Sequence, residues 1–330
     1  MKSPGRPVTA LSLILASSLV IAGCSAGTQD ADDSSAAGGA TVEIEDNNGT
    51  QTVNSPAASV VALDNRTFET LSDWDVELSA AAVSLMPDTI GYTRDDSIID
   101  IGTHNEPDLE AIVAAEPDLV VNGQRFTQYQ DDITSLVPDA AVLDLDPRED
   151  EPFDAELRRQ VTVLGEVFDK QDEAAQLVDD LDAAIERVQD AYDEDDTVMA
   201  VTTSGGEIGY LAPGVGRTLG PAFDILGLTP ALEVDGASDD HQGDDISVEA
   251  VADSNPDWIL VMDRDAAVAA DEAGYETAEN ILSSSEALSG VTAVKDEQII
   301  HMPVDTYTNE GIQTYTEFFD AFADALEARA

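Results

Sequence analysis

Cysteine occurs once in 330 residues, and histidine and lysine three times each. A single cysteine forms no disulfide within the chain. Histidines at 104, 241 and 301 match no local zinc-ligand spacing, so a zinc or manganese receptor is a poor fit. There is no H-E-x-x-H or G-x-x-x-x-G-K, which leaves a secreted hydrolase as a remote alternative and gives no reason to expect an enzyme or a bound cofactor. Positive charge is scarce as well: 14 Lys and Arg stand against 69 Asp and Glu, a formal net charge of −55. Nucleic acid and anionic membrane surfaces are therefore poor partners. The acids are spread singly along the chain, as on a solvated surface.

What is present begins with Lys2, Arg6 and an apolar run from about Ala10 to Ala22. That run is too short to span a bilayer comfortably and reads as a secretory signal over residues 1–23. The residues IAGC at 21–24 resemble the lipobox of bacterial lipoproteins, which makes Cys24 the expected lipid anchor of an extracytoplasmic protein. Residues 24–40 are rich in Ser, Ala, Gly and Asp and read as a flexible tether. Loss of Lys2 and Arg6 with the signal leaves a mature chain of formal net charge −57.

Two stretches say nearly the same thing. LEAIVAAEPDLVVNGQR (109–125) and VEAVADSNPDWILVMDR (248–264) superpose at one offset of 139 residues, matching Glu110 with Glu249, Pro117 with Pro256, Asp118 with Asp257 and Arg125 with Arg264. Each reads as a short amphipathic helix, a Pro-Asp break, a buried strand and a loop ending in arginine. The repeat implies two similar lobes. The expected fold class is therefore α/β: an amino-terminal lobe over 41–152, opened by a hairpin turning at Asn48-Gly49, and a carboxy-terminal lobe over 193–330. Each lobe would be Rossmann-like with a mostly parallel sheet. Between them, residues 153–192 carry an apolar stripe at Ala174, Leu177, Val178, Leu181, Ala184, Ile185, Val188 and Tyr192, predicting a long rigid helix as the spine.

In open parallel sheets ligands bind beyond the carboxyl ends of strands. Arg125, Arg264, Arg217 in APGVGRTLG and Arg66 after SVVALD all follow predicted strands. In so acidic a chain a few guanidinium groups can still define a local anion site, because salt screens the distant acids beyond about 8 Å. The bland alternative is ordinary ion pairing with neighbouring acids such as Asp263 and Asp265. His104 in IGTHNEPD is placed to line the same cleft.

The lipobox, the interlobe spine and the elements EPDLEAIVAAEPDLVV and HQGDDISVEAVADSNPDWILVMDR resemble the substrate-binding lipoproteins of ABC importers for ferric siderophores, nearest the branch for catecholate and petrobactin-type ligands. The resemblance implies the class III periplasmic-binding-protein fold and a monomer that captures a ferric siderophore and passes it to an ABC permease. It also implies that Arg125, Arg217 and Arg264 face the anionic complex and that His241 and Tyr307 can complete the coordination of Fe(III), while Glu110 and Glu249 dock on the permease. Haem, a cobalamin or another bulky chelate is the alternative ligand.

Overall fold

The computed structural model describes residues 40–329; the expected signal peptide (1–23), the Cys24 anchor and nearly all of the tether (24–40) lie outside the described residues. The first two strands, β1 (Ala40–Asp46) and β2 (Gly49–Ser55), form an antiparallel hairpin with Asp46 opposite Gly49. Its loop residues are therefore Asn47 and Asn48, one position earlier than the sequence suggests. Gly49 opens β2 at φ +111°, a conformation residues with a Cβ rarely adopt.

Alternating strands and helices follow: β3 (Val60–Ala62), α1 (Phe68–Asp73), β4 (Ala80–Ala81), β5 (Ile99–Asp100), α2 (Leu109–Ala114), β6 (Leu119–Asn122), α3 (Gln130–Leu136) and β7 (Ala141–Asp144). The strands form one parallel sheet of order β5-β4-β3-β6-β7. Next come α4 (Phe153–Phe168) and α5 (Gln171–Ala191), separated at Asp169, where φ reaches +57°. The middle segment is thus two helices. The predicted stripe belongs to α5, which buries Ala174, Leu181, Ala184, Ile185 and Val188.

The second half contains β8 (Thr197–Ser204), β9 (Glu207–Leu211), α6 (Gly220–Leu226), β10 (Thr229–Pro230), α7 (Val248–Ser254), β11 (Trp258–Asp263), α8 (Arg264–Val268), α9 (Ala278–Ser284), α10 (Thr292–Lys295), β12 (Ile299–His301) and α11 (Ile312–Arg329). Its sheet runs β10-β8-β11-β12 in parallel, with β9 antiparallel beside β8. The apolar run of β11 is buried on both faces, as a central parallel strand should be. Trp258, Leu260 and Met262 join the core beneath α5 and α11, whereas Ile259 and Val261 face a second core with Val251 and Leu282. Alternate residues of a strand point to opposite faces, which is why one uninterrupted run serves both cores. Trp74 and Trp258 are core residues, and the Trp258 ring meets Phe322 of α11 edge-on at 5.3 Å between centroids.

The repeated Pro-Asp has a second use besides ending a helix. Asp118 accepts from the backbone amides of Ala58 (2.9 Å) and Ser59 (2.9 Å), just ahead of β3. Asp257 accepts from the amide and hydroxyl of Thr197 (2.8 and 3.0 Å), where β8 begins. In each sheet the repeat's aspartate pins the start of the neighbouring parallel strand. Those neighbours, β3 with β6 and β8 with β11, flank the points where strand order reverses, and such points open a crevice at the carboxyl end of the sheet.

Candidate ligand-binding site

Beyond β6 the chain tightens into a 3-10 turn, Gln124–Tyr129, anchored by the fully buried Phe126. Arg125 projects from this turn. At the corresponding place in the other sheet, Arg264 is the first residue of α8, whose amino end is capped by Asp263 through the Ala266 amide at 3.0 Å. Asp263 also accepts from the Tyr275 hydroxyl and the Ala278 amide, both at 2.9 Å, so the base of Arg264 is held from three sides. Arg217 lies in the loop before α6, tied to α11 by the Tyr315 hydroxyl, which donates to the Thr218 carbonyl at 2.9 Å.

These three arginines meet on one ring. The guanidinium carbons of Arg125, Arg217 and Arg264 lie 4.9, 5.3 and 4.8 Å from the centroid of Tyr307, which sits on a 3-10 turn (Thr306–Thr308) after β12. Arg125 Nη2 also donates to the Tyr307 carbonyl at 3.0 Å. Cations within about 6 Å of an aromatic face are attracted to it. Burial would push the Tyr307 phenol up, but Arg264, Arg125 and Arg217 outweigh it and hold the phenol below its ordinary value.

Next to these arginines lies a carboxylate that no sequence pattern singles out. Glu310 is 2% exposed and is reached from both halves of the chain. Arg66 Nη2 approaches it at 3.6 Å and Gln124 Nε2 at 3.3 Å, while Arg217 Nε lies 3.4 Å away and the Thr218 hydroxyl 2.8 Å. Burial opposes its charge, yet Arg217 and Arg66 keep its carboxyl below the usual range. Arg66 is further paired with Asp146 at 3.3 Å. The Arg66 guanidinium is thus engaged by two acids. Arg264 has one acid close by, Asp265 at 3.2 Å, and Arg125 has no carboxylate within ion-pair distance among the described residues. The Nε atoms of Arg125 and Arg264 are buried without a hydrogen-bond partner.

Close approach explains two glycines here. A Cβ on Gly311 would lie 2.6 Å from the Arg66 carbonyl, and one on Gly123 would lie 2.7 Å from Asp64 Oδ2. Asp64 is fully buried beside Asp146, and burial together with that neighbour raises its carboxyl to about 7 against the opposing pull of Arg66.

The remaining candidates divide. His104 is half-buried, its carbonyl accepts from the Tyr129 hydroxyl at 2.8 Å, and burial with the nearby Arg125 holds its imidazole below the usual value, so it borders the cluster. His241 occupies an exposed turn, and no hydrogen bond or ion pair of its side chain joins it to the arginines or Tyr307 among the described residues. Glu110 and Glu249 are exposed in the first turns of α2 and α7, whose ends are capped by Asp108 and Ser247. Beside the cluster a groove of about 410 Å³ mixes apolar walls, such as Met86, Val268 and Val304, with the carboxylates of Asp88, Asp271, Glu272 and Asp305.

Two largely parallel sheets whose carboxyl-end loops bring three arginines onto one tyrosine ring define a bilobal α/β binding protein. The chain belongs to the periplasmic binding protein family, which matches residues 60–306. Its curated relatives include the petrobactin-binding protein YclQ of Bacillus subtilis, 23% identical over 86% of both chains. A second is the ferric-anguibactin-binding protein FatB of Vibrio anguillarum, 28% identical over 68% of this chain and 69% of its own. Among solved structures, the catecholate-siderophore binding protein VctP of Vibrio cholerae superposes with a TM-score of 0.74 at 24% identity, covering 87% of this chain and all of VctP.

Proposed function

We propose that this protein is an extracytoplasmic receptor that binds an anionic ferric siderophore between its two sheets and delivers it, chemically unchanged, to an ABC permease. The observation that carries this reading is the convergence of Arg125, Arg217 and Arg264 on Tyr307 in a chain otherwise dominated by acids. Guanidinium groups suit the oxygen-rich, anionic face of a ferric catecholate. The names of YclQ, FatB and VctP, with their petrobactin, anguibactin and catecholate ligands, support the same ligand class. Tyr307 is our candidate for an oxygen donor to iron. His241 is the weaker candidate, because it stands outside the cluster.

Lipid attachment at Cys24, a monomeric state and permease docking through Glu110 and Glu249 complete the proposal. Titration of the purified protein with a ferric catecholate quenches its tryptophan and tyrosine fluorescence at submicromolar concentration, and Arg264→Ala weakens that response. Unchanged affinity in Arg264→Ala removes the arginines from the ligand site. A panel containing haem and a cobalamin separates the alternative, because those ligands do not require three cationic partners.

A further inference from the structure

Glu310 stands out because the cleft could be braced without its charge. The Thr218 hydroxyl at 2.8 Å and the Gln124 amide at 3.3 Å need an acceptor, and a glutamine carbonyl is one. What only a carboxylate adds is a unit of negative charge beside Arg66 and Arg217, in a place that is 2% exposed and therefore poorly screened. Arg217 is shared between this carboxylate and the Tyr307 ring, so the charge acts on a group that faces the proposed ligand. Four arginines gather here, and the carboxylates within ion-pair distance of them are Glu310, Asp146 and Asp265. Among the described residues the cluster's formal excess is thus one positive charge, and neutralising Glu310, the most buried of the three acids, would make it two.

We infer that Glu310 is the specificity-determining residue that sets how much negative charge a ligand of this cleft carries, favouring complexes of low net charge over more highly charged ones of the same shape. This rests on the cleft being the receptor site for an anionic metal chelate. A polyanion entering a site with one excess positive charge brings Glu310 an unfavourable partner. A complex with one fewer negative charge meets less of that repulsion.

The test uses one synthetic catecholate chelator loaded with Fe(III) or with Ti(IV). The two complexes share ligand and shape but differ by one unit of charge, the ferric one being the more negative. Affinities for both are measured by calorimetry on the wild type and on Glu310→Gln. The ratio of the two affinities shifts toward the ferric complex on the order of tenfold in Glu310→Gln, as expected for one unit charge acting over roughly 10 Å at an effective permittivity near 20. A residue that only braces the loops lowers both affinities together and leaves the ratio where it was, and that result overturns the inference. Should Glu310→Gln fold poorly, Arg66→Gln and the double variant Arg66→Gln/Glu310→Gln provide the same comparison. The single change moves the ratio toward the titanium complex, and the double change restores the wild-type ratio; a double variant that keeps the Arg66→Gln ratio also overturns it. If neither complex binds the wild type, the receptor reading fails and the inference falls with it, an outcome distinct from binding with an unmoved ratio.

Discussion

Arg125 and Arg264 lie 139 residues apart in the chain, yet their guanidinium carbons stand 4.9 and 4.8 Å from the same point, the centre of the Tyr307 ring. Each follows the last strand residue of its repeat, at the reversal point of its own sheet. Gathering like charges is unfavourable in the ligand-free protein, and for Arg125 no acid is within ion-pair reach among the described residues. Arg125→Ala is therefore expected to weaken ligand binding roughly 10- to 100-fold, as for a lost charged hydrogen bond, without lowering the ligand-free melting temperature. Thermal melts with and without a ferric catecholate measure both effects, and a large drop in the unliganded protein would mean that Arg125 is chiefly structural.

The Tyr307 phenol should ionise before the other tyrosines whose environments shift them. Burial pushes Tyr92, Tyr210, Tyr275 and Tyr315 upward, whereas the arginines pull Tyr307 down. Ultraviolet difference titration of the wild type shows an early phase that Tyr307→Phe abolishes. The same variant keeps the ring between the arginines. Loss of a visible phenolate-to-iron absorption band on adding the ferric ligand to Tyr307→Phe, compared with the wild type, then reports direct coordination.

Asp64 gives a pH dependence of stability with a defined sign. Its native carboxyl is raised to about 7 by burial and by Asp146, while the unfolded group titrates near the ordinary aspartate value of 3.8. Between those values the native state holds a proton that the unfolded state has released, so this residue's contribution falls as pH rises through the window. Asp64→Asn, which resembles the protonated form, is expected to flatten the decline of the urea midpoint between pH 5 and pH 8. The low-pH limb is separate: Glu310, depressed from 4.5, loses its stabilising contribution as pH falls below that value. A midpoint that declines equally in both proteins assigns the dependence to other groups.

Removal of either repeated aspartate leaves strand-edge amides without an acceptor. Asp118→Ala and Asp257→Ala are each expected to cost about 0.5–1.5 kcal/mol, measured by urea denaturation.

Much of this architecture is legible in the sequence because it is written in periodicities. The stripe of α5, the apolar run of β11 and the closing helix α11 follow directly from spacing. Strands β4, β5 and β10 have two residues each, too few to display any period. Arg125, Arg217 and Arg264 were conspicuous because positive charge is rare. Glu310 was hidden for the converse reason: it is one acid among 69, and only the approach of loops from both sheets buries it. His241 stands apart from these arginines, in a loop that meets β9 at the Tyr210–Asp244 bridge and leaves the residue exposed.

The helices between the sheets carry one more consequence. Buried residues of both sheets, Val61 and Val120 on one side and Ala200 and Leu260 on the other, belong to a single apolar cluster that continues through Leu164, Leu181 and Phe319. Among the described residues the amino-terminal lobe has no core apart from this shared cluster, and the carboxy-terminal lobe adds only a smaller one around Val251, Ile259 and Leu282. Denaturation of residues 40–329 should thus occur as one cooperative event, with calorimetric and van't Hoff enthalpies in agreement, although the fold looks like two domains side by side.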